Sequence, residues 1–377
     1  MSVRAIRATF ALAAGVLCAC VGIPARAHRT VVSQYTFNKD VRPILESRCG
    51  RCHADDGPAP AALLRYTEAR RHSWRMQQEL LTGRMPPWDA DDSGEAIQNA
   101  TRLTAHEFDV LMTWAAGGTP EGEAGTDAGP TARPSPVRAW PTGTPDLVLP
   151  VPDVVQLDDT HPTADKEYVL PLSALRGRAI RAADLRPGTP ALVRRAEFAV
   201  IAPGHEQVVG VWVPGEAQPL PTAGAFTVPR DARLRVRVHY AHPRAAAEGP
   251  LTDRSEIGLY TTRATVPDVR SLELGEGLTT VPARRRAVAW RLVAGRTDAV
   301  VRLTLVLPDG TPRLLARGRP NPTWPRRYVF ATPVEIPAGS QLLVAVTPGV
   351  GPVLAPLLGA ADETDASPVR LAIDLTR

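Results

Sequence analysis

The chain has few of the residue types that most often carry metal or redox chemistry. Its 377 residues include four cysteines, four methionines and eight histidines, and none of these three types occurs after His242. No segment reaches the roughly 18 uninterrupted apolar residues of a spanning helix, so the sequence predicts no transmembrane span. The formal charge is +5, with arginines spread among acids. This pattern gives no support for nucleic-acid binding.

The first 27 residues have the pattern of a secretory signal peptide. Arg4 and Arg7 precede an apolar run, and Ala25-Arg26-Ala27 matches a small-x-small cleavage site. Its removal takes away three positive charges and lowers the net charge from +5 to +2. We therefore expect export to the periplasm, with lipoprotein anchoring at Cys20 as a less favoured alternative. Cleavage after Ala27 leaves an amino-terminal His28, which is a weak candidate copper chelator.

Two of the four cysteines, Cys18 and Cys20, lie in the signal peptide, so the mature chain keeps Cys49 and Cys52 in "SRCGRCHADDG". Two thiols three positions apart can reach the two vinyl groups of one haem edge, and the imidazole of His53 then lies beneath the iron. A zinc site needs two further ligands at close spacing, and a thioredoxin-type motif needs a βαβ setting. The sequence favours haem c, with Cys49 and Cys52 as covalent attachment residues and His53 as proximal iron ligand.

Residues 28–120 read as a small all-α domain. Asn38 or Asp40 is expected to cap a helix that leads to the cysteines, and Thr67 a second helix. Thr104 and Glu107 form a capping box for a third, whose buried face is expected to include Phe108. Three helices around a Cys-x-x-Cys-His segment are typical of a small cytochrome c.

The second axial ligand of the iron is predicted to be Met85. It lies in "GRMPPW", where two prolines stiffen a loop that can hold a thioether over the open side of a haem. Met76 and Met112 fall on apolar helix faces, which predicts core packing. Met76, His72 and His106 remain alternative ligands.

The rest of the chain is predicted to be β structure. Residues 121–143 are rich in Gly, Pro, Thr and Ala and read as a linker. Short apolar runs such as "RLRVRVHY" and "AVVRLTLVL" then recur between Pro and Gly turns, a pattern typical of antiparallel β-sandwiches. We expect two such domains, at 144–265 and 266–377, so that the whole chain is multidomain.

Several longer segments resemble a known family. "FNKDVRPILESRCGRCH", "GRMPPWDAD" and "LTAHEFDVLMTWAAGGTPEG" are similar to the cytochrome c domain fused ahead of bacterial copper type II, ascorbate-dependent monooxygenase-like proteins. "LRPGTPALVRR", "LRVRVHYAHP" and "TWPRRYVFATPVEIPAGSQLLV" resemble the two β-sandwiches of that enzyme class, which includes the peptidylglycine hydroxylating domain. The resemblance implies two jelly-roll-like sandwiches after a cytochrome c domain.

The copper ligands implied by the resemblance are mostly absent. The family's His-His pair falls on Arg194-Arg195, which leaves His239 as a weak candidate copper ligand, with His242 nearby. The second sandwich has no histidine, methionine or cysteine, so it cannot build the second copper site from imidazole and thioether. In "RLRVRVHY", alternation places His239 on the face of Arg235 and Arg237, which favours a solvated or structural role. Copper is therefore not expected as a cofactor.

Three functions follow from these observations. The favoured one is an exported monohaem cytochrome c that transfers single electrons to a periplasmic redox partner protein, with the β region as a docking or scaffold module. The second is a copper-dependent monooxygenase fed by its own haem, using rebuilt ligands. The third is a binding module with a vestigial haem site. The sequence favours a non-enzymatic protein and identifies no substrate.

Overall fold

The structure is a computed structural model that describes residues 32–55, 57–59, 61–98, 100, 102–123, 140–218, 220–221, 223–243, 249–263, 265–294, 299–348 and 368–377. The predicted signal peptide, His28 and residues 124–139 of the predicted linker lie outside these ranges. Among the described helices, none combines the length and the apolar character needed to cross a bilayer. This finding agrees with the expectation of no transmembrane span.

A small helical part precedes the β structure. Its first helical stretch alternates π-helical and α-helical turns: Phe37–Val41, Arg42–Ile44, Leu45–Cys49 and Gly50–His53. Three further helices follow: Tyr66–Arg71, Ser73–Leu81 and Ala105–Ala116. The third predicted helix begins as expected, since the Glu107 backbone N–H donates to Thr104 Oγ1 at 3.1 Å and the Thr104 N–H donates to Glu107 Oε2 at 2.7 Å.

Two of the predicted helix caps are wrong. The first helix begins at Phe37 after Thr36, so Asn38 and Asp40 lie inside it. Asp40 instead reaches back from inside the helix, and its Oδ2 accepts the backbone N–H of Thr36, the residue at the N-cap, at 2.8 Å. The second helix begins at Tyr66, so Thr67 lies within its first turn.

Aromatic residues pack with aliphatic ones in the core of the helical part. The ring centroids of Phe37 and Trp114 are 5.9 Å apart, and those of Phe37 and Tyr66 are 5.6 Å apart. Val110 and Leu111 are buried beside Trp114, whereas Phe108 is 37% exposed. The expected position of Phe108 in the buried face is therefore wrong, because the helix buries the face that carries the large indole of Trp114 instead.

In the residues that the structure describes, ten strands form the first β unit: β1 (Leu147–Pro150), β2 (Val155–Leu157), β3 (Thr163–Pro171), β4 (Ala179–Arg186), β5 (Val193–Ala202), β6 (His205–Trp212), β7 (Phe226–Thr227), β8 (Arg233–Ala241), β9 (Leu251–Asp253) and β10 (Glu256–Thr262). One antiparallel sheet has the order β1-β10-β4-β7 and the other β3-β8-β5-β6, with β2 and β9 as a separate pair. Apolar residues of both sheets share one core, which includes Ile180, Phe198 and Leu234.

Eight strands of the described chain form the second β unit: β11 (Arg270–Leu274), β12 (Gly277–Thr280), β13 (Arg285–Ala294), β14 (Ala299–Val306), β15 (Pro312–Gly318), β16 (Tyr328–Ile336), β17 (Gln341–Pro348) and β18 (Arg370–Thr376). The sheets β11-β18-β13-β16 and β12-β17-β14-β15 are antiparallel and enclose a core that includes Trp290, Leu303 and Phe330. The described chain is thus mostly antiparallel sheet, which is compatible with β-sandwich domains.

Strand β8 shows how the sequence sets the two faces of a sheet. Leu234, Val236, Val238 and Tyr240 are buried, while the residues between them point to the opposite face and are more exposed. Successive strand residues alternate between faces, so His239 shares a face with the arginines of "RLRVRVHY". The predicted position of His239 on this face is confirmed.

Residues 88–98, between the helices Ser73–Leu81 and Ala105–Ala116, pack on the second β unit. Ala90 forms an antiparallel bridge with Gly318, and Ile97 forms one with Phe330. A side chain at Gly94 would place its Cβ 2.4 Å from the Leu315 carbonyl oxygen, so this close approach requires glycine. Residues 88–98 therefore tie the helical part directly to strands β15 and β16.

Candidate functional site

Cys49, Cys52 and His53 lie together where the first helical stretch ends. Cys49 precedes the single α-helical turn Gly50–His53, so the two cysteines and the histidine follow one turn of backbone. Both cysteines are half-buried free thiols. Burial raises the pKa of each thiol to about 12, with the Glu107 carboxylate adding to the rise at Cys49 and Glu216 at Cys52. Burial thus favours the neutral thiol form of both cysteines.

The imidazole of His53 is oriented by the chain that follows it. Its Nδ1 lies 2.6 Å from the Ala61 carbonyl oxygen. A carbonyl can only accept, so Nδ1 carries the hydrogen and Nε2 keeps its lone pair. Burial lowers the pKa of His53, which favours the neutral ring. A neutral imidazole with its second nitrogen held by a backbone carbonyl is the usual arrangement of a metal-ligating histidine.

Main-chain hydrogen bonds hold the segment around Ala61 against the motif. The Ala59 N–H donates to the Cys52 carbonyl at 3.1 Å, and the Leu63 N–H donates to the His53 carbonyl at 2.9 Å. At Gly57, a Cβ would come within 2.1 Å of the Cys52 carbonyl oxygen. Glycine is therefore required at position 57 for the chain to fold back this closely.

Cys52 also touches the first β unit, a contact that the sequence analysis missed. Its sulfur lies 3.4 Å from the Pro214 carbonyl oxygen, in the turn that follows β6. Gly215 has a φ of +75°, and a Cβ there would lie 2.3 Å from the Cys52 sulfur. This turn belongs to "GVWVPGEAQPLPTAG", but nothing local in that segment indicates a cysteine 162 residues away.

The helical part and the two β units meet at Glu216, the residue after Gly215. Glu216 Oε1 lies 2.5 Å from Nη2 of Arg326 in the second β unit. The Arg326 guanidinium lies over the Trp88 ring at 4.9 Å, and the Trp88 ring packs edge-on against Tyr328 at 5.1 Å. The two cysteines of the motif thus have different surroundings, since Cys49 packs against the helical core and Cys52 lies at this junction.

Among the three methionines of the described chain, Met85 has the most exposed side chain. Met85 is 40% exposed and precedes a cis peptide bond to Pro86. Met76 is buried in the helical core and Met112 packs against it, so the predicted core positions of Met76 and Met112 are confirmed. His106 packs edge-on against Tyr35, and His72 joins the helices Tyr66–Arg71 and Ser73–Leu81. Met85 as the distal iron ligand stays a prediction.

The histidines of the first β unit have other partners. His239 Nδ1 lies 2.9 Å from Asp165 Oδ1, and the cross-strand neighbour of His239 on β5 is Arg195. His242 is buried, with Nε2 3.0 Å from the Gly249 carbonyl oxygen. Across the described ranges, no group of three or more His, Cys, Asp or Glu side chains gathers as a metal site.

Comparisons with known proteins add no family to this description. No protein-family model matches the chain, and a search of curated protein sequences finds no match. The resemblance to the cytochrome c and copper monooxygenase segments therefore stays a hypothesis. The functional argument rests on the geometry around Cys49, Cys52 and His53.

Proposed function

We propose that this chain is an exported c-type cytochrome that transfers single electrons to a periplasmic partner protein. The observation that carries the proposal is the single helical turn Gly50–His53, which follows Cys49 and includes the second cysteine and a histidine whose Nε2 is left free. Two cysteines and an oriented imidazole at this spacing suit covalent haem attachment.

Two further observations support the fit of these residues to a haem. Both cysteines are free thiols, the state from which thioethers form. Gly215 leaves room beside the Cys52 sulfur, and any larger residue would meet that sulfur. A neutral thioether also suits a half-buried position, because it carries no charge that burial would penalise.

The residues have distinct roles in this proposal. The two thiols would hold the haem as thioethers, each formed by addition of S–H across one vinyl double bond, so attachment would consume no oxidant. His53 would hold the iron through Nε2, with its ring oriented by the Ala61 carbonyl. Met85, in its proline-stiffened loop, would be the second iron ligand. When bound, the haem supplies one-electron chemistry at its iron.

We assign the β region a docking or scaffold role. It corresponds to two jelly-roll-like sandwiches of the copper monooxygenase type that have lost their copper ligands. The His239–Asp165 contact and the neighbouring Arg195 support this assignment, because an arginine beside a metal ion is unfavourable. In the haem-free chain, the Cys52 sulfur lies 3.4 Å from the Pro214 carbonyl oxygen, so the motif packs against this β region.

Covalent haem content tests the proposal directly. The mature chain is produced in a host with haem-attachment machinery, denatured, separated by size and stained for haem, and its mass is measured. We expect one haem per wild-type chain, and none covalently bound after Cys49→Ser together with Cys52→Ser. Ser47→Ala, two residues before Cys49, is the matched control and is expected to keep its haem. A wild-type chain without covalent haem would end this proposal.

A further inference from the structure

Strand β5 contains a β-bulge near its start. Val193 and Arg195 pair with two consecutive residues of β8, so Arg194 is an extra residue on β5. Val193 and Ala196 both belong to the core of the first β unit. Since a regular strand would place one residue between two core positions, the bulge leaves two successive side chains, those of Arg194 and Arg195, outside the core.

Neither of these two arginines has a carboxylate partner among the residues that the structure describes. Both are half-buried. Arg194 donates from Nη2 to the Ala241 carbonyl oxygen at 3.1 Å, and Arg195 has no hydrogen bond or ion pair within the described ranges. Burial lowers the pKa of Arg194, and no acidic group of the described chain opposes this shift. The bulge therefore holds partly desolvated positive charge without a negative partner.

Other arginines on the same face of the sheet are paired. Arg235 donates from both terminal nitrogens to the Glu206 carboxylate, and Arg237 donates from Nε to Glu167 Oε2 at 2.8 Å. The pKa of Arg235 is raised, first of all by its hydrogen bond to Glu206. The sheet thus balances charge along β8 with its own carboxylates, whereas the described chain supplies none at the bulge of β5.

Two unpaired guanidinium groups on successive residues favour an anion from outside the chain. A charge that is partly withdrawn from water costs free energy unless an opposite charge lies close to it. Guanidinium groups offer planar pairs of N–H donors that match the oxygens of phosphate or carboxylate groups. They donate and cannot accept, so two of them complement a doubly charged oxyanion better than a single carboxylate.

We propose that Arg194 and Arg195 form a binding site for a phosphate group at the bulge of β5. Arg195 donates to the phosphate oxygens, and Arg194 adds the donors that the Ala241 carbonyl does not occupy. The site uses no residue of the Cys49–His53 motif, so it is independent of the proposed function. Free phosphate and the phosphate group of an organic ester present the same oxygens, and the test separates these two sources.

The test measures binding of inorganic phosphate to the mature full chain by isothermal titration calorimetry. It is done at constant ionic strength and at about pH 8, where phosphate is mostly doubly charged. Arg195→Gln should weaken binding at least about tenfold, because it removes charged hydrogen-bond donors. It breaks no contact among the described residues, so the variant should fold. Binding as tight as that of the wild type would overturn the proposal.

Three further variants or probes sharpen this test. Arg195→Lys should bind phosphate less tightly than the wild type, because lysine keeps the charge but not the planar pair of donors. Arg233→Gln is the matched control, since it removes one exposed arginine from the other end of the same sheet face, and it should bind phosphate as the wild type does. Equal losses in Arg233→Gln and Arg195→Gln, or acetate that binds as tightly as phosphate, would refute a phosphate site.

Glycerol phosphate distinguishes the two sources of the phosphate group. Arg195-dependent binding that is tighter for glycerol phosphate than for inorganic phosphate assigns the site to an organic phosphate, and the reverse order assigns it to free phosphate. Binding of neither probe refutes the site. Haem content is measured on the same sample, so a haem-free chain that binds phosphate contradicts the proposed function and still supports this site.

Discussion

The helical part and the first β unit both hold a half-buried histidine, and their surroundings differ. His53 follows two cysteines on one turn, and its Nδ1 faces a carbonyl that leaves Nε2 free. His239 lies in mid-sheet, and its Nδ1 faces the Asp165 carboxylate. Its cross-strand neighbour on β5 is Arg195. The two imidazoles therefore differ in the group that faces Nδ1, a neutral backbone carbonyl at His53 and a carboxylate at His239.

Replacing each histidine by alanine gives the largest expected difference. His53→Ala should remove the proximal ligand and convert the haem spectrum from low-spin to a form with altered axial ligation, or prevent stable haem binding. His239→Ala should leave the spectrum, iron content and copper content unchanged. Absorption spectra with metal analysis check both variants. Loss of bound copper in His239→Ala would instead revive the monooxygenase hypothesis.

The first β unit is expected to carry a pH dependence of its own through Asp184. This carboxyl is fully buried, and burial raises its pKa to about 7 from 3.8. The native state therefore keeps a proton that the unfolded chain loses, so stability is full below about pH 4 and falls as the pH rises toward 7. The total loss is about 4 kcal/mol. Urea unfolding between pH 4 and 8 measures it.

Asp184→Asn provides the control for this pH dependence. An amide does not titrate, so the variant should show a flatter stability profile between pH 4 and 7. It should also leave the haem spectrum unchanged, since Asp184 lies in β4 of the first β unit. A profile as steep as that of the wild type would assign the pH dependence to another group.

Within the helical part, a buried and an exposed methionine are expected to differ in their effects on stability and on the haem. Met76→Ala should lower the free energy of unfolding by about 2–4 kcal/mol, because a buried side chain leaves a cavity, and should keep the axial ligands. In the haem-free chain, Met85→Ala should change stability by less than about 0.5 kcal/mol, because the Met85 side chain is exposed. In the haem-loaded chain, it should alter the spectrum and lower the midpoint potential. Urea unfolding and redox titration of the two variants check this. An unchanged spectrum in Met85→Ala would assign the distal ligand to another residue.

Gly215 tests the contact that joins the two regions. Gly215→Ala should destabilise the chain by about 2–3 kcal/mol and lower haem attachment, because its Cβ meets the Cys52 sulfur at a φ of +75°. Gly204→Ala is the matched control, with a φ of +67° and no atom near the added Cβ. It should cost about 1 kcal/mol and leave haem attachment intact. Equal effects of the two substitutions would show that the Cys52 contact contributes nothing.

Local patterns in the sequence account for much of the fold. The capping box of Thr104 and the alternation in β8 each depend on residues within a few positions, and both predictions are confirmed. The cap at the first helix failed for a local reason as well, since Asp40 satisfies the Thr36 N–H from inside the helix. Such choices between nearby side chains are energetically close, so sequence patterns place them poorly.

The site itself was only partly predictable. The spacing of Cys49, Cys52 and His53 identifies the motif, because its chemistry depends on one turn of backbone. The carbonyl of Ala61, eight residues after His53, could not be found because it lies in an irregular segment without a periodic pattern. The turn at Gly215 could not be found because the contact of its neighbour Pro214 with Cys52 spans 162 residues. The junction at Arg326 joins segments from all three parts, and no local pattern indicates it.

Iron and copper content per chain tests the central claim most directly. The measurement uses the mature full chain, produced with haem-attachment machinery and purified without added metal. We expect one iron, retained covalently through haem after denaturation, and negligible copper. A chain without iron, or one that binds one or two coppers stoichiometrically, would contradict it.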